Sequence, residues 1–280
     1  MIDIILVIIS LIWLIFASLE DIKTREVPDW ISYSLITIAL AFYLIKSIIF
    51  NDVSFIIQSL FGLGVFFFLG NLMYYMRQWG GGDVKLFSCL GALFPLYPRE
   101  LLNYFNPNLQ LPFLLILIIN IVIFGALYSL IYGLYLIIKN KNRVKFNFKI
   151  NKLYAFLALI LSLITLFLQD LILRMLILLL AFLILVYPYM KNFIHIIEHK
   201  IMTKRISLDK LTEGDWVIKD IYYKGKLIYN KNNPGVTNLD IKLFEKIKLK
   251  KVWIKEGIPF IPSFLVALII SLIFGNLLLF

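Results

Sequence analysis

Residues 112–138 read PFLLILIINIVIFGALYSLIYGLYLII, a stretch without a single charged side chain. A helix needs about 20 apolar residues to cross the hydrocarbon core of a bilayer, so this stretch predicts a transmembrane helix. The whole chain has the same character, because it is 61% hydrophobic and only 16% charged. Soluble domains are about 45–50% apolar and about 25% charged. The composition therefore excludes an ordinary soluble fold and predicts a membrane protein.

Similar apolar segments lie on both sides of this stretch. With it, they predict about six to eight transmembrane helices, placed at about 2–19, 31–50, 54–76, 84–97, 112–138, 153–168, 170–189 and 259–279. The fourth segment is short and follows a glycine run, so we expect it to begin inside the protein rather than in lipid. The sixth and seventh should form a hairpin that turns at Gln169-Asp170. No positively charged region precedes the first segment, as it would in a cleavable signal peptide, so we expect that segment to be retained.

The lysine and arginine residues predict the orientation, since cytosolic loops of membrane proteins are enriched in them. Of the 28 in the chain, 15 lie in residues 191–257. Ten of the other 13 fall on the inner side when the N-terminus is placed outside. We therefore expect an outside N-terminus in the cytoplasmic membrane. The net charge of +11 then points to contact with anionic membrane lipid rather than with nucleic acid.

Residues 191–257 are the one long polar stretch, and they predict a small α+β module on the cytosolic side. The stretch should open with an amphipathic helix at 193–201 and continue with a strand at 216–223. A hairpin turn at Lys224-Gly225 and a short helix at 239–249 should follow. The predicted fold class is an all-α polytopic membrane protein with this module. Its predicted parts are a membrane-embedded domain with the candidate catalytic residues at 1–190, the cytosolic module at 191–257 and a C-terminal transmembrane helix at 258–280.

Two aspartates stand where ionisable groups are costly. Asp21 ends the first apolar segment, within EDIKTREVPD at 20–29, and Asp83 ends the GGGD string at 80–83. In the predicted topology both lie at the cytosolic edge of the bilayer, where each charged group needs a reason. Either one alone could simply cap or end a helix. The two together, in these contexts, favour a functional pair.

A pair of carboxyl groups has a defined chemistry. Two carboxylates a few ångströms apart cannot both ionise cheaply, so they share one proton. The ionised member can take a proton from water, which then attacks a peptide carbonyl, and the protonated member can donate to the carbonyl oxygen. The glycines before Asp83 would let a neighbouring helix or a substrate strand approach it. A run of three also predicts a loop or an unwound turn at membrane depth.

These residues resemble a known family. The GxGD string within GGGDVKL at 80–86 matches the motif of the GxGD aspartyl proteases, and its extension is similar to the type IV prepilin peptidases. In that family the first catalytic aspartate ends the first helix and is followed by a basic residue and a proline, as Asp21 is by Arg25 and Pro28. The segment GIPFIP at 257–262 is similar to the C-terminal region of archaeal members.

The resemblance implies an intramembrane aspartic endopeptidase that needs no cofactor and no metal. Such an enzyme removes basic leader peptides from prepilins or archaeal preflagellins at the cytosolic membrane face. Asp21 and Asp83 would be its catalytic residues, and Gly80, Gly82 and Lys85 would support them. Bacterial members often carry a four-cysteine loop and also methylate their product. This chain has one cysteine, so the resemblance implies the archaeal, peptidase-only branch.

Three acidic residues near Asp21 are candidates for binding a basic leader: Glu20, Glu26 and Asp29. Opposite charge is the reason for choosing them. The basic stretches at 139–152 and 191–205 would repel such a leader, and we expect them to face lipid headgroups.

Two alternatives stay open. The string HIIEH at 195–199 has the inverted zincin pattern, and its two histidines fall on one face of a predicted helix. A zinc peptidase built on them would need a third ligand, such as Glu213, Asp215 or Glu245. The other alternative is a membrane transporter or assembly protein without enzymatic activity. In that case both aspartates would be structural or ion-binding groups.

Overall fold

The computed structural model describes residues 2–141, 152–233 and 235–277. Part of the predicted basic stretch at 139–152 and the end of the last predicted span lie outside these residues. The helices are α1 (Ile2–Thr24), α2 (Asp29–Ile49), α3 (Ser54–Tyr75), α4 (Gly81–Leu93), α5 (Phe113–Lys139), α6 (Lys152–Ile164), α7 (Leu171–Ile196), α8 (Asn238–Lys246) and α9 (Ile261–Phe274). The strands are β1 (Thr203–Ser207), β2 (Trp216–Val217), β3 (Ile221–Tyr223), β4 (Lys226–Tyr229) and β5 (Lys251–Lys255).

Within the described residues, five helices are long and apolar enough to cross a membrane: α1, α2, α3, α5 and α7 with its continuation to Ile201. Two shorter apolar helices cover Lys152–Phe167 and Ile261–Phe274. A helix lies at each predicted span. The predicted fold class is therefore confirmed: the chain is a polytopic helical membrane protein with a small sheet-containing module.

The short helix α4 lies inside the protein, as its position after the glycine run predicted. It has 13 residues, or about 20 Å of helix, against a hydrocarbon core of about 30 Å. Residues 84–93 are buried except for Lys85, which is partly exposed. The predicted unwound turn is wrong in part, because Gly81 and Gly82 already belong to the first turn of α4 and only Gly80 precedes it.

Helices α3 and α4 approach each other at two glycines. A Cβ atom on Gly62 would lie 2.1 Å from the carbonyl oxygen of Gly91, and one on Gly91 would lie 2.3 Å from the carbonyl oxygen of Gly62. Gly70 is similarly close to Val84. Gly64, on the same helix, has nothing within 4 Å of such an atom. Gly62 and Gly70 are thus packing contacts between helices, and Gly64 is not.

The chain divides into two compact units, one of Met1–Tyr132 with Arg205–Phe280 and one of Gly133–Lys204. In the second unit α6 and α7 form the predicted hairpin. The Asp170 carboxylate caps α7 by accepting a hydrogen bond from the Leu173 N–H at 2.8 Å. The helix predicted at 193–201 is present as the end of α7, which runs on without a break into a π turn at Ile197–Ile201.

The polar module has its own core in the first unit. Strands β1, β5 and β2 form one sheet in that order, and β3 and β4 form a hairpin. The predicted turn at Lys224-Gly225 is confirmed, and both residues have the positive φ that such a two-residue turn requires. The single strand predicted at 216–223 is wrong, since β2 pairs with β5 and β3 pairs with β4. The three-part division at 190 and 257 stays a prediction.

Candidate active site

Asp21 lies in the last turns of α1 and is buried, with 5% of its surface exposed. Its Oδ2 atom accepts a hydrogen bond from the backbone N–H of Ile261 at 3.0 Å. Ile261 is the first residue of α9, whose N–H has no partner within its own helix. Asp21 thus satisfies the start of α9 rather than the end of its own helix, and the partial positive charge at that helix end favours a carboxylate.

Asp83 lies in the first turn of α4 and is partly exposed. Its Oδ2 atom accepts a hydrogen bond from the backbone N–H of Gly80 at 2.8 Å. An acid three residues after the cap commonly reaches back in this way. Asp83 is therefore not itself the N-cap of α4, which was the simple alternative at this position.

The fold brings these two carboxyl groups together from helices that are about sixty residues apart in sequence. They lie close enough for their charges to interact. Each accepts a hydrogen bond from a backbone N–H, that of Ile261 for Asp21 and that of Gly80 for Asp83. Backbone donors fix the position of a carboxylate without forming an ion pair with it. Such a pair can share a proton.

The glycine run serves close packing at one position. A Cβ atom on Gly82 would lie 3.3 Å from the Val27 Cβ atom and 3.6 Å from the Val27 backbone nitrogen. The loop between α1 and α2 therefore passes against the start of α4. A Cβ atom on Gly80 would meet only the Asp83 Oδ2 atom at 3.5 Å, and one on Gly81 would meet nothing within 4 Å.

Lys85 pairs with Asp29 rather than with Asp83 in this structure. Its Nζ atom lies 2.5 Å from Asp29 Oδ1, and the two side chains are 39% and 59% exposed. An exposed pair of this kind contributes about 0–1 kcal/mol. The contact joins the start of α2 to α4. The predicted supporting role of Lys85 stays a prediction.

The three predicted leader-binding acids differ in their surroundings. The Glu26 carboxylate accepts a hydrogen bond from the Thr212 hydroxyl at 2.7 Å, which ties the loop after α1 to the polar module. Thr212 also donates hydrogen bonds to the Asp215 carboxylate. Burial raises the pKa of this carboxyl group. Asp29 is occupied by Lys85. The Glu20 carboxylate makes no hydrogen bond or ion pair with any residue that the structure describes.

Arg25 has a role that the sequence pattern did not reveal. Its guanidinium donates to the Gly257 carbonyl at 3.1 Å and to the Tyr132 hydroxyl at 2.5 Å. Its backbone, at φ 64°, closes α1 through a hydrogen bond from its N–H to the Asp21 carbonyl. The end of α1 therefore holds the 257–261 segment at both ends, through Arg25 at Gly257 and through Asp21 at Ile261.

We expect Arg25→Gln to lower the free energy of unfolding by about 2 kcal/mol, since hydrogen bonds from charged groups contribute about 1.5–3 kcal/mol. Arg77→Gln is the matched control. Arg77 also follows a helix with positive φ, but it is exposed, and its replacement should change stability by less than about 0.5 kcal/mol. Chemical denaturation of both variants in detergent measures the difference. Equal losses would contradict the role assigned to Arg25.

The zinc alternative has no complete site in the part of the chain that the structure describes. There, no group of three or more His, Cys, Asp or Glu side chains could hold a metal ion. The rings of His195 and His199 do lie side by side, with centroids 4.5 Å apart. Two histidines alone do not make a structural or catalytic zinc site, which takes three or four protein ligands.

Comparison with known proteins finds a family that part of this chain resembles. Residues 8–134 match the type IV leader peptidase family. A preflagellin peptidase from Methanocaldococcus jannaschii is 37% identical over 126 residues, which are 42% of this chain and 52% of that protein. One from Methanococcus maripaludis is 35% identical over 37% of this chain and 45% of that protein. A prepilin peptidase from Methanothermobacter thermautotrophicus is 23% identical over 99% of this chain and 96% of that protein. No solved structure matches.

The matches to the two preflagellin peptidases span about half of each relative. The family match at 8–134 contains both Asp21 and Asp83. The resemblance seen in the GGGDVKL string is thus confirmed at the level of the family. Over residues 8–134, this chain is similar to the type IV leader peptidase family.

Proposed function

We propose that the chain is an intramembrane aspartic endopeptidase that removes leader peptides from prepilin-like or preflagellin-like proteins. The family match and the names of the relatives support the reaction. The observation that carries the aspartic mechanism is that two carboxyl groups, Asp21 on α1 and Asp83 on α4, lie within range of each other's charge and each accept a hydrogen bond from a backbone N–H.

In this proposal one carboxylate of the pair takes a proton from a water molecule as the oxygen attacks the scissile carbonyl. The other carboxyl donates its proton to the carbonyl oxygen, which gives a tetrahedral intermediate with no net charge on that oxygen. Collapse of the intermediate breaks the C–N bond, as the leaving nitrogen takes a proton from the carboxyl that had accepted one from water. The other carboxylate takes a proton from one hydroxyl of the intermediate, which becomes the carbonyl oxygen of the product acid. The two residues therefore exchange roles within one turnover and need no cofactor.

We further propose that the N-terminus is outside and that the pair faces the cytosol. The lysine and arginine distribution supports this orientation. A leader peptide on the cytosolic side would then reach the pair at the point where its own hydrophobic helix enters the bilayer. The loops beside Asp21 and Asp83 lie at helix ends rather than at helix centres, which suits a cut at such a border.

The test is a cleavage assay with the full chain in detergent or liposomes and a preflagellin-type substrate that carries a basic leader. We expect one cut at the leader boundary, unaffected by a chelator. Loss of cleavage on chelation would favour the zinc alternative at His195 and His199. Absence of cleavage with any leader-bearing substrate, together with solute flux in liposomes, would favour a transporter.

We also propose that Glu20, with Glu26 and Asp29, binds the basic leader. Glu20 is the best placed, because its carboxylate is not taken by another described side chain. Glu20→Lys should lower kcat/KM for a basic leader about tenfold at low salt, through loss of an attraction worth about 1.4 kcal/mol. Cleavage of a neutral leader should change much less. The control is Asp209→Lys, a charge reversal at an exposed position of the polar module. If Glu20→Lys lowered cleavage of the basic and the neutral leader equally, the proposed binding role would be refuted.

A further inference from the structure

A cluster of aromatic rings lies beside the two aspartates. Trp79, the residue before Gly80, has its ring centroid 5.6 Å from that of Phe260, 5.4 Å from that of Phe264 and 4.9 Å from that of Phe87. Phe260 in turn is the residue before Ile261. The mechanism proposed for the aspartate pair does not use Trp79.

In the sequence, Trp79 and Phe260 are each followed directly by a residue whose backbone N–H holds one of the two aspartates. The N–H that follows Trp79 is that of Gly80, which holds Asp83. The N–H that follows Phe260 is that of Ile261, which holds Asp21. Contact between Trp79 and Phe260 therefore joins the two backbone segments on which the carboxyl groups depend.

The rings themselves have little freedom to move. Phe260 lies in a notch on α5, where a Cβ atom on Gly125 would come within 2.4 Å of its Cζ atom. Phe87 is 2% exposed and stacks on Phe66 at 4.3 Å. Interiors packed in this way transmit displacement rather than absorb it. A change at Trp79 should therefore reach the segment that holds Asp21.

We propose that Trp79 and Phe260 are positioning residues that set the separation of the Asp21 and Asp83 carboxyl groups. This inference rests on the proposed function of that pair. Neither ring supplies chemistry. They keep two backbone segments, which come from distant parts of the chain, at the spacing that proton sharing requires. Misplacement of reacting groups by about 1 Å can cost about 100-fold in rate.

The first test compares Trp79→Leu, Trp79→Phe and Trp13→Leu in the cleavage assay. Trp13 is the matched control, since it packs on the same core from α1. We expect Trp79→Leu to lower kcat about 10–100-fold with KM nearly unchanged. Trp79→Phe should restore most of the rate. Trp13→Leu should keep kcat even where it lowers the melting temperature. Equal kcat values for Trp79→Leu and Trp13→Leu would overturn the proposal.

Gly125→Ala perturbs the same segment from α5 and leaves Trp79 intact. The added methyl group would push on the Phe260 ring, and we expect a loss of kcat of the same order as in Trp79→Leu. A folded Gly125→Ala protein with wild-type kcat would count against the role of Phe260.

The second readout needs no substrate, so it separates this inference from the proposed function. A hydrophobic carbodiimide labels protonated carboxyl groups, and mass spectrometry gives the labelling rates of Asp21 and Asp83. Arg25 from the end of α1 and Tyr128 from α5 interact electrostatically with Asp21, and neither is changed in these variants. We expect Trp79→Leu to alter the ratio of the two rates by at least about threefold, since moving one charge changes the other. An unaltered ratio would refute the positioning role, whether or not the wild type cleaves a leader.

Discussion

Asp21→Asn and Asp83→Asn should each reduce leader cleavage to below about one thousandth of the wild-type kcat, because neither residue can act as acid and base without the other. Asparagine keeps a carbonyl oxygen that can accept the hydrogen bond from the Ile261 or the Gly80 N–H. The fold should therefore survive both changes. The double variant should be no worse than either single one, since the pair acts as a unit.

Asp3→Asn is the control for this experiment. Asp3 lies at the other end of α1, where its carboxylate pairs with Lys46 at 2.6 Å. Its replacement removes a partly buried carboxylate from the same helix and should leave kcat within about twofold of wild type. Cleavage is measured at saturating substrate, and circular dichroism checks the fold of each variant. If both asparagine variants still cut, the pair is not catalytic.

The largest expected effect on stability comes from Gly62→Ala. The added methyl group would meet the backbone carbonyl of Gly91 on α4, which cannot rotate away as a side chain would. Relief requires α3 and α4 to separate, and overpacking of this kind costs about 1–3 kcal/mol or somewhat more. We expect the upper end of that range, measured by thermal unfolding in detergent. Activity should fall with stability, because α4 carries Asp83.

Gly64→Ala is the matched control, on the same helix and two residues away. Nothing lies within 4 Å of the position that its methyl group would take. Alanine is favoured over glycine in a helix by about 0.5–1 kcal/mol, so this variant should be as stable as wild type or slightly more so. If the Gly62→Ala protein had the same melting temperature as the Gly64→Ala protein, that result would contradict the packing of α3 on α4.

The membrane helices were predictable because lipid imposes a simple requirement on the sequence. An uncharged apolar run as long as 112–138 predicts a transmembrane helix, and α5 lies there in the structure. The polar module was predicted less well. The sequence pattern predicts one strand at 216–223 and does not predict β1 or β5, which are rich in basic residues. Whether two short strands belong to one sheet or to two depends on their partners, which are not visible locally.

The candidate pair was predictable for another reason. A carboxylate at the edge of an apolar helix is rare, so Asp21 and Asp83 stand out without any knowledge of the fold. The groups that contact these two aspartates cannot be recognised in the sequence in the same way. The donor to Asp21 is a backbone N–H 240 residues away, and a backbone group has no signature in the sequence. Lys85 next to Asp83 suggested a partnership, but its long side chain reaches Asp29 instead.

The bond between Asp21 and Ile261 also has a consequence for biosynthesis. A ribosome adds about 5–20 residues per second, so Ile261 emerges roughly 10–50 s after Asp21. During that interval α1, α4 and both aspartates are already made, while the backbone donor that holds one of them does not yet exist. A nascent chain would carry the complete GGGD string without a complete site. The proposed peptidase would thus mature only when α9 docks against α1, and a chain stalled before that point would be inert.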